Sequence, residues 1–106
     1  MILNLKPLNT LIDNPRFRME SLTSILPCLT VDDWAISIDL RDAYLHVPIA
    51  DQSIPLLGFR VDNQTYCYRA LPFGLRTSPY FFTRIVRAVA AFLRRRGMRI
   101  FCYLDD

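Results

Sequence analysis

Between Ser78 and Arg96 the chain carries the pattern that leaves its fold the least choice. Phe81, Ile85, Val89 and Leu93 recur every four residues with Phe82, Val86 and Ala90 beside them, which spreads one wide apolar face along a helix. Ser78-Pro79 marks the start, because serine caps orphan amides and proline at the first helical position gives up an N–H that has no partner there. Arg94, Arg95 and Arg96 fall in the last turn, where the helix dipole favours cations. Gly97 then suits the left-handed residue that ends the run.

The other elements are read around this helix. Ile2 to Leu5 can form a short strand, followed by turn chemistry at Lys6-Pro7-Leu8-Asn9 and Asp13-Asn14-Pro15. Met19, Leu22, Ile25 and Leu26 sit at helical spacing, with Glu20 in the first turn and Pro27 as the stop, so Met19 to Leu26 is predicted helical. From Ala35 to Leu40, Ile36 and Ile38 alternate with Ala35, Ser37 and Asp39, the period of a half-buried strand. Tyr44 to Ile49 is expected to run extended or irregular up to Pro48. Leu56 to Val61 and Thr65 to Ala70 bracket Asp62-Asn63-Gln64, a hairpin signal. Met98 to Leu104 reads as a last strand. This order suits an α+β fold, an antiparallel sheet with helices packed on one face.

The chain has 106 residues and 52 % hydrophobic content, enough for one small packed domain. Its net charge of +3 is mild but unevenly placed. Arginines stand at 60, 69, 76, 84, 87, 94, 95, 96 and 99 against the single acid Asp62, so nine minus one leaves +8 in that span. Such a segment can neutralise phosphates or simply line a solvated helix face. The Arg94-Arg95-Arg96 run is assigned to helix termination. Cys28, Cys67 and Cys102 are odd in number and far apart, with no histidine at metal-ligand spacing, so free thiols in a reducing compartment are expected. The longest apolar stretch, near Ala88, is interrupted by Arg84, Arg87 and Arg94, which argues against a membrane span. These features predict an intracellular protein, cytoplasmic or nuclear.

Two acidic sites, Asp39 and Asp105-Asp106, lie far apart in the chain. Asp39 ends a strand of apolar and small residues, where a charge is costly without a metal, a hydrogen bond or an ion pair such as one with Arg41. Asp105-Asp106 follows an aromatic strand, where a surface turn would look the same. If folding brings them together, their mutual repulsion is relieved by divalent cations with hard oxygen ligands. Asp32-Asp33 is assigned to a turn or helix cap. His46, the only histidine, is read as a surface residue.

Three stretches carry a specific resemblance. Ser37 to Ile49 (SIDLRDAYLHVPI), Tyr68 to Phe82 (YRALPFGLRTSPYFF) and Tyr103 to Asp106 (YLDD) resemble motifs A, B and C of reverse transcriptases, in that order. Ile2 to Asn9 resembles the segment ahead of the palm in those enzymes. Within the family the wording is similar to retrotransposon enzymes of the DIRS, tyrosine-recombinase type.

The resemblance implies an RNA-directed DNA polymerase palm that transfers deoxynucleotides to a primer on an RNA or DNA template. Asp39 and Asp105 would hold two Mg2+ ions, Asp106 would assist, and the Leu40 carbonyl would complete one coordination sphere. One ion then activates the primer 3′ hydroxyl and the other steadies the leaving pyrophosphate. The backbone amides of Asp42 and Ala43 would meet the incoming triphosphate, and the Tyr44 ring would lie under the sugar and exclude a 2′ hydroxyl. Phe73 and Gly74 would contact the nucleotide, although retroviral enzymes carry glutamine in place of Phe73. Arg76, Ser78 and Pro79 would lie near the template, and Tyr103 and Leu104 near the primer terminus. Against the family pattern, residues 1–106 lack the upstream fingers strands, the thumb and RNase H, so the segment alone is expected to be inactive. The alternatives are an RNA-directed RNA polymerase palm, disfavoured by Tyr44 and Leu71-Pro72-Phe73-Gly74, and a non-catalytic RRM-like nucleic-acid-binding module.

Overall fold

The computed structural model of the chain describes residues 3–103. Its longest element is helix α3, Ser78–Arg95, which closes through Gly97 at φ +86°, as the sequence predicts. Thr77, however, takes the N-cap position, and Ser78 lies inside the first turn. The Ser78 hydroxyl does not cap the helix: it is fully buried and donates to the Pro72 carbonyl at 2.9 Å. The apolar face is also used unevenly. Phe82 and Ala90 are buried, while the parallel stripe of Phe81, Ile85 and Val89 is about half exposed.

Helix α1 spans Lys6–Leu11 and corrects the expected loop. Pro7 stands in its first turn, where a missing N–H costs nothing, and Asn9 donates to the Leu5 carbonyl at 2.8 Å to set the helical repeat. The spacing of Leu5, Leu8 and Ile12 is helical, and Leu5 joins Leu57, Leu71 and Leu75 in the core, with Leu8 and Ile12 packed against it. The strand expected at Ile2 to Leu5 is therefore not formed over residues 3–5; Ile2 lies outside the described residues.

Helix α2 is only Leu22–Ile25, and it tightens into a 3₁₀ turn, Leu26–Cys28, that accommodates Pro27 instead of stopping at it. Ser21 and Ser24 define its start, the Ser21 amide donating to Ser24 Oγ at 3.0 Å. Glu20 accordingly falls outside the helix.

The hairpin forms with narrower strands than expected: β1, Gly58–Val61, pairs antiparallel with β2, Gln64–Cys67. Asp62 and Asn63 make the two-residue turn, both at positive φ (47° and 63°), which matches the right-handed twist of the strands. Ahead of it run two 3₁₀ turns, Ala43–His46 and Asp51–Leu57. Between these turns Pro48 forms an antiparallel bridge with Ala70. Val47 and Ile49 exchange backbone hydrogen bonds with Leu71 and Arg69, each 2.9 Å.

The molecule is thus α+β, with helices and a two-stranded antiparallel sheet. The wider sheet does not appear among the described residues. Ala35 to Leu40 and Met98 to Tyr103 form no strand, because a strand exists through its partner's ladder and no described segment supplies one. Ile36 remains 87 % exposed and Trp34 fully exposed. The radius of gyration of 17.1 Å exceeds the ~13 Å of a compact chain of this size, as expected when only a small cluster of leucines is fully covered. No described helix is long and apolar enough to cross a membrane.

Candidate active site

Asp42 sets the geometry of the motif A segment. It adopts the left-handed conformation (φ 54°), rare for a residue with a side chain, and its carbonyl accepts from Leu45 N at 2.8 Å to start the 3₁₀ turn. The turn buries Ala43 and carries the half-buried Tyr44 ring inward. There Tyr44 lies 4.9 Å from the Phe73 ring and meets the Phe82 ring edge-on at 5.3 Å. Residues 44 and 73, read from separate motifs, are brought together by the Pro48–Ala70 bridge, which lays the end of one motif beside the start of the other.

The loop after Phe73 is fixed from a distance. Gly74 takes φ +90°, a conformation that favours glycine. Asn9 on α1 donates from Nδ2 to the Gly74 carbonyl and accepts the Arg76 amide on Oδ1, both at 2.8 Å. Sequence reasoning placed Asn9 in a turn and missed this role. The Arg76 residue itself is exposed, Pro79 lies in the first turn of α3, and Tyr103 is exposed.

Asp39 is exposed and lines, with Leu40, a groove of about 480 Å³ that reaches Ala43, Phe82 and Ile85 on α3. Arg41 does not neutralise it: its ion pair, at 3.6 Å and on the surface, is with Asp42. His46 Nε2 hydrogen-bonds the Arg41 carbonyl at 3.0 Å, a local tie. Leu104, Asp105 and Asp106 lie outside the described residues, so the expected meeting of Asp39 with the acidic pair falls there too. No group of three or more His, Cys, Asp or Glu side chains gathers among the described residues. Three carboxylates and a backbone carbonyl nevertheless form the hard-oxygen donor set that suits Mg2+.

The segment leading to the acidic pair is held by arginines. Arg94 donates to Glu20 at 2.6 Å and to the Ile100 carbonyl at 2.9 Å from Nε and 2.6 Å from its terminal nitrogen. The other Glu20 oxygen accepts the Cys102 amide at 2.7 Å. Arg99 reaches Asp33 at 2.6 Å and the Cys28 carbonyl at 2.8 Å. Burial pushes the Glu20 carboxyl up, but its bonds from Arg94 and Cys102 and the charges of Arg94 and Arg87 outweigh this, leaving it below its ordinary value. The hydrogen bond from Arg99, with further bonds from Thr30, holds Asp33 well below the carboxylate range. Burial, aided by the Glu20 charge, pushes the Cys102 thiol up, and all three cysteines are free. Glu20, the only glutamate in the chain, was read merely as a helix-dipole residue.

Electrostatics follow from these contacts. Of the nine arginines between 60 and 99, Arg94 and Arg99 are spent on Glu20 and Asp33, Arg84 on Tyr80 and Arg87 on the Arg18 carbonyl. Arg96 stacks over Phe92 at 4.4 Å. The basic surface left for phosphates is smaller than the count suggests.

Similarity to known proteins agrees with the motifs. The chain is 31 % identical over 93 residues to Protein P of Heron hepatitis B virus, an alignment that covers 87 % of the chain and 12 % of that protein. It is 28 % identical over 109 residues to the Enzymatic polyprotein of Cestrum yellow leaf curling virus, covering 100 % and 16 %. Against the Retrovirus-related Pol polyprotein from transposon opus of Drosophila melanogaster the identity is 26 % over 107 residues, covering 100 % and 10 %. The chain therefore spans a small part of the length of these relatives. No solved structure gives a significant match. The family model for reverse transcriptase (RNA-dependent DNA polymerase) matches residues 1–106, and with motifs A and B meeting at Tyr44 and Phe73 the chain belongs to the reverse transcriptase family.

Proposed function

We propose that this chain forms the palm region of an RNA-directed DNA polymerase of a retroelement, acting in template-directed deoxynucleotidyl transfer. The observation that carries the reading is the contact of Tyr44 with Phe73 at 4.9 Å, which joins two nucleotide-facing residues more than twenty positions apart. Bound at Asp39, the Leu40 carbonyl, Asp105 and Asp106, a pair of Mg2+ ions supplies activation of the primer hydroxyl and charge relief for the leaving pyrophosphate. The chain's own residues orient the nucleotide around that centre. The 3₁₀ turn offers the Asp42 and Ala43 amides to the triphosphate, while Tyr44, wedged against Phe82, sets a wall beneath the sugar. Phe73 and Gly74 close the opposite side, and Asn9 holds their loop.

Template contacts belong to Arg76, Ser78 and Pro79, with Ser78 acting through the buried turn it stabilises. Tyr103 and Leu104 border the primer end. The DIRS-type wording of the motifs and the free thiols support an intracellular retrotransposon enzyme, cytoplasmic or nuclear.

Primer extension by a full-length polymerase carrying this segment tests the reading. With Asp105→Asn, extension falls by about a hundredfold or more. Extension that persists undiminished would end the catalytic assignment.

A further inference from the structure

The residues just ahead of the acidic pair have no strand ladder among the described residues, yet a metal-binding carboxylate is useful only if its backbone is held. Two backbone groups there are nonetheless occupied. The Ile100 carbonyl takes both Arg94 bonds and the Cys102 amide goes to Glu20. Residues two apart in an extended chain present their backbone groups to the same side, so these are groups that one neighbouring strand would engage. The Glu20–Arg94 ion pair fills that place, with the acceptor on one partner and the donor on the other.

We infer that Glu20 is a positioning residue for Asp105-Asp106, fastening the backbone at Ile100 and Cys102 to the last turn of α3 through Arg94. This rests on the metal-site reading of those aspartates. Arg94 fits the task because its planar fork reaches the Ile100 carbonyl and the carboxylate together, at 2.6 to 2.9 Å. Glu20 fits because its two oxygens divide between Arg94 and the Cys102 amide. A charged acceptor makes the stronger bond. The second pair, Arg99 with Asp33, ties the same segment to the chain beyond α2 without using either Glu20 oxygen. Glu20 thus sits two backbone steps from Leu104 in bonding and more than eighty residues from it in sequence.

The 106-residue chain serves for the test, with Mn2+ as the probe metal. Amide exchange at Cys102 is read by NMR and Mn2+ affinity by water-proton relaxation, for the parent, Glu20→Ala, Glu20→Gln and Asp105→Asn. In Glu20→Ala, exchange at Cys102 accelerates about tenfold or more while amides of the β1–β2 hairpin keep their rates, and Mn2+ binds at least about threefold more weakly. Glu20→Gln, which keeps a carbonyl acceptor, recovers most of the Cys102 protection. The proposal is overturned if Cys102 exchanges at the parent rate in Glu20→Ala. It is equally overturned if Mn2+ affinity is unchanged in Glu20→Ala although Asp105→Asn abolishes binding. Mn2+ binding that survives Asp105→Asn removes the metal-site reading and with it the positioning role, even where the Cys102 exchange result shows the clasp itself to be present.

Discussion

Asn9 is the side chain whose work is least visible before folding. It satisfies one backbone acceptor and one backbone donor of the loop at Gly74 to Arg76, and no other described side chain hydrogen-bonds either group. Asn9→Ala removes both bonds and leaves Gly74 free to leave its positive φ. Each bond is surface-accessible, so the loss is modest, about 1–2 kcal/mol in unfolding free energy. Chemical denaturation followed by circular dichroism measures it, and an unchanged midpoint would show that the loop holds itself. Ser78 illustrates the reverse situation. Its place at a helix start is legible from Ser-Pro, but its hydroxyl serves the Pro72 carbonyl instead of the α3 amides, because Thr77 already occupies the cap.

At the scale of elements, α3 and the hairpin are the parts that local signals specify best. Gly97 shows why. An added Cβ there would meet no atom within 4 Å, so a substitution acts through backbone conformation alone. At φ +86°, Gly97→Ala costs about 1 kcal/mol. The loss registers as a lower melting temperature together with faster amide exchange in the last turn of α3. Arg94 sits in that turn, so fraying also loosens the Glu20 clasp. The short elements are another matter. Met19 to Leu26 shows helical spacing, yet only four residues become α-helix, since Leu22 and Leu26 stay largely exposed and no buried face rewards a longer one. Ala35 to Leu40 alternates as a strand should, and without a partner alternation is not enough.

Over the whole molecule, two ion pairs span long sequence separations, Glu20 with Arg94 and Asp33 with Arg99. Both carboxyls are held below their ordinary values, 4.5 for Glu20 and 3.8 for Asp33. A depressed folded-state value stabilises the fold above the unfolded value, and that contribution disappears as pH falls through the folded one. Thermal midpoints should therefore be level from neutral pH to about 5 and decline progressively below about 4.5. Glu20→Gln should lower the neutral-pH midpoint and flatten the upper part of that decline, and an identical pH profile in the variant would show that Glu20 carries no linkage. What the sequence by itself determined is what short-range physics encodes: the α3 stripe and its glycine end, the Asp62-Asn63 turn, and the ordered motifs that mark the reverse transcriptase family. Tertiary structure alone decided that Asn9 holds the Gly74 loop, that Glu20 and Arg94 grip Ile100 and Cys102, and that Tyr44 meets Phe73. Periodicity and turn chemistry report on neighbours a few residues away, whereas each of these contacts joins residues whose separation in the chain carries no signal until the fold brings them within bonding distance.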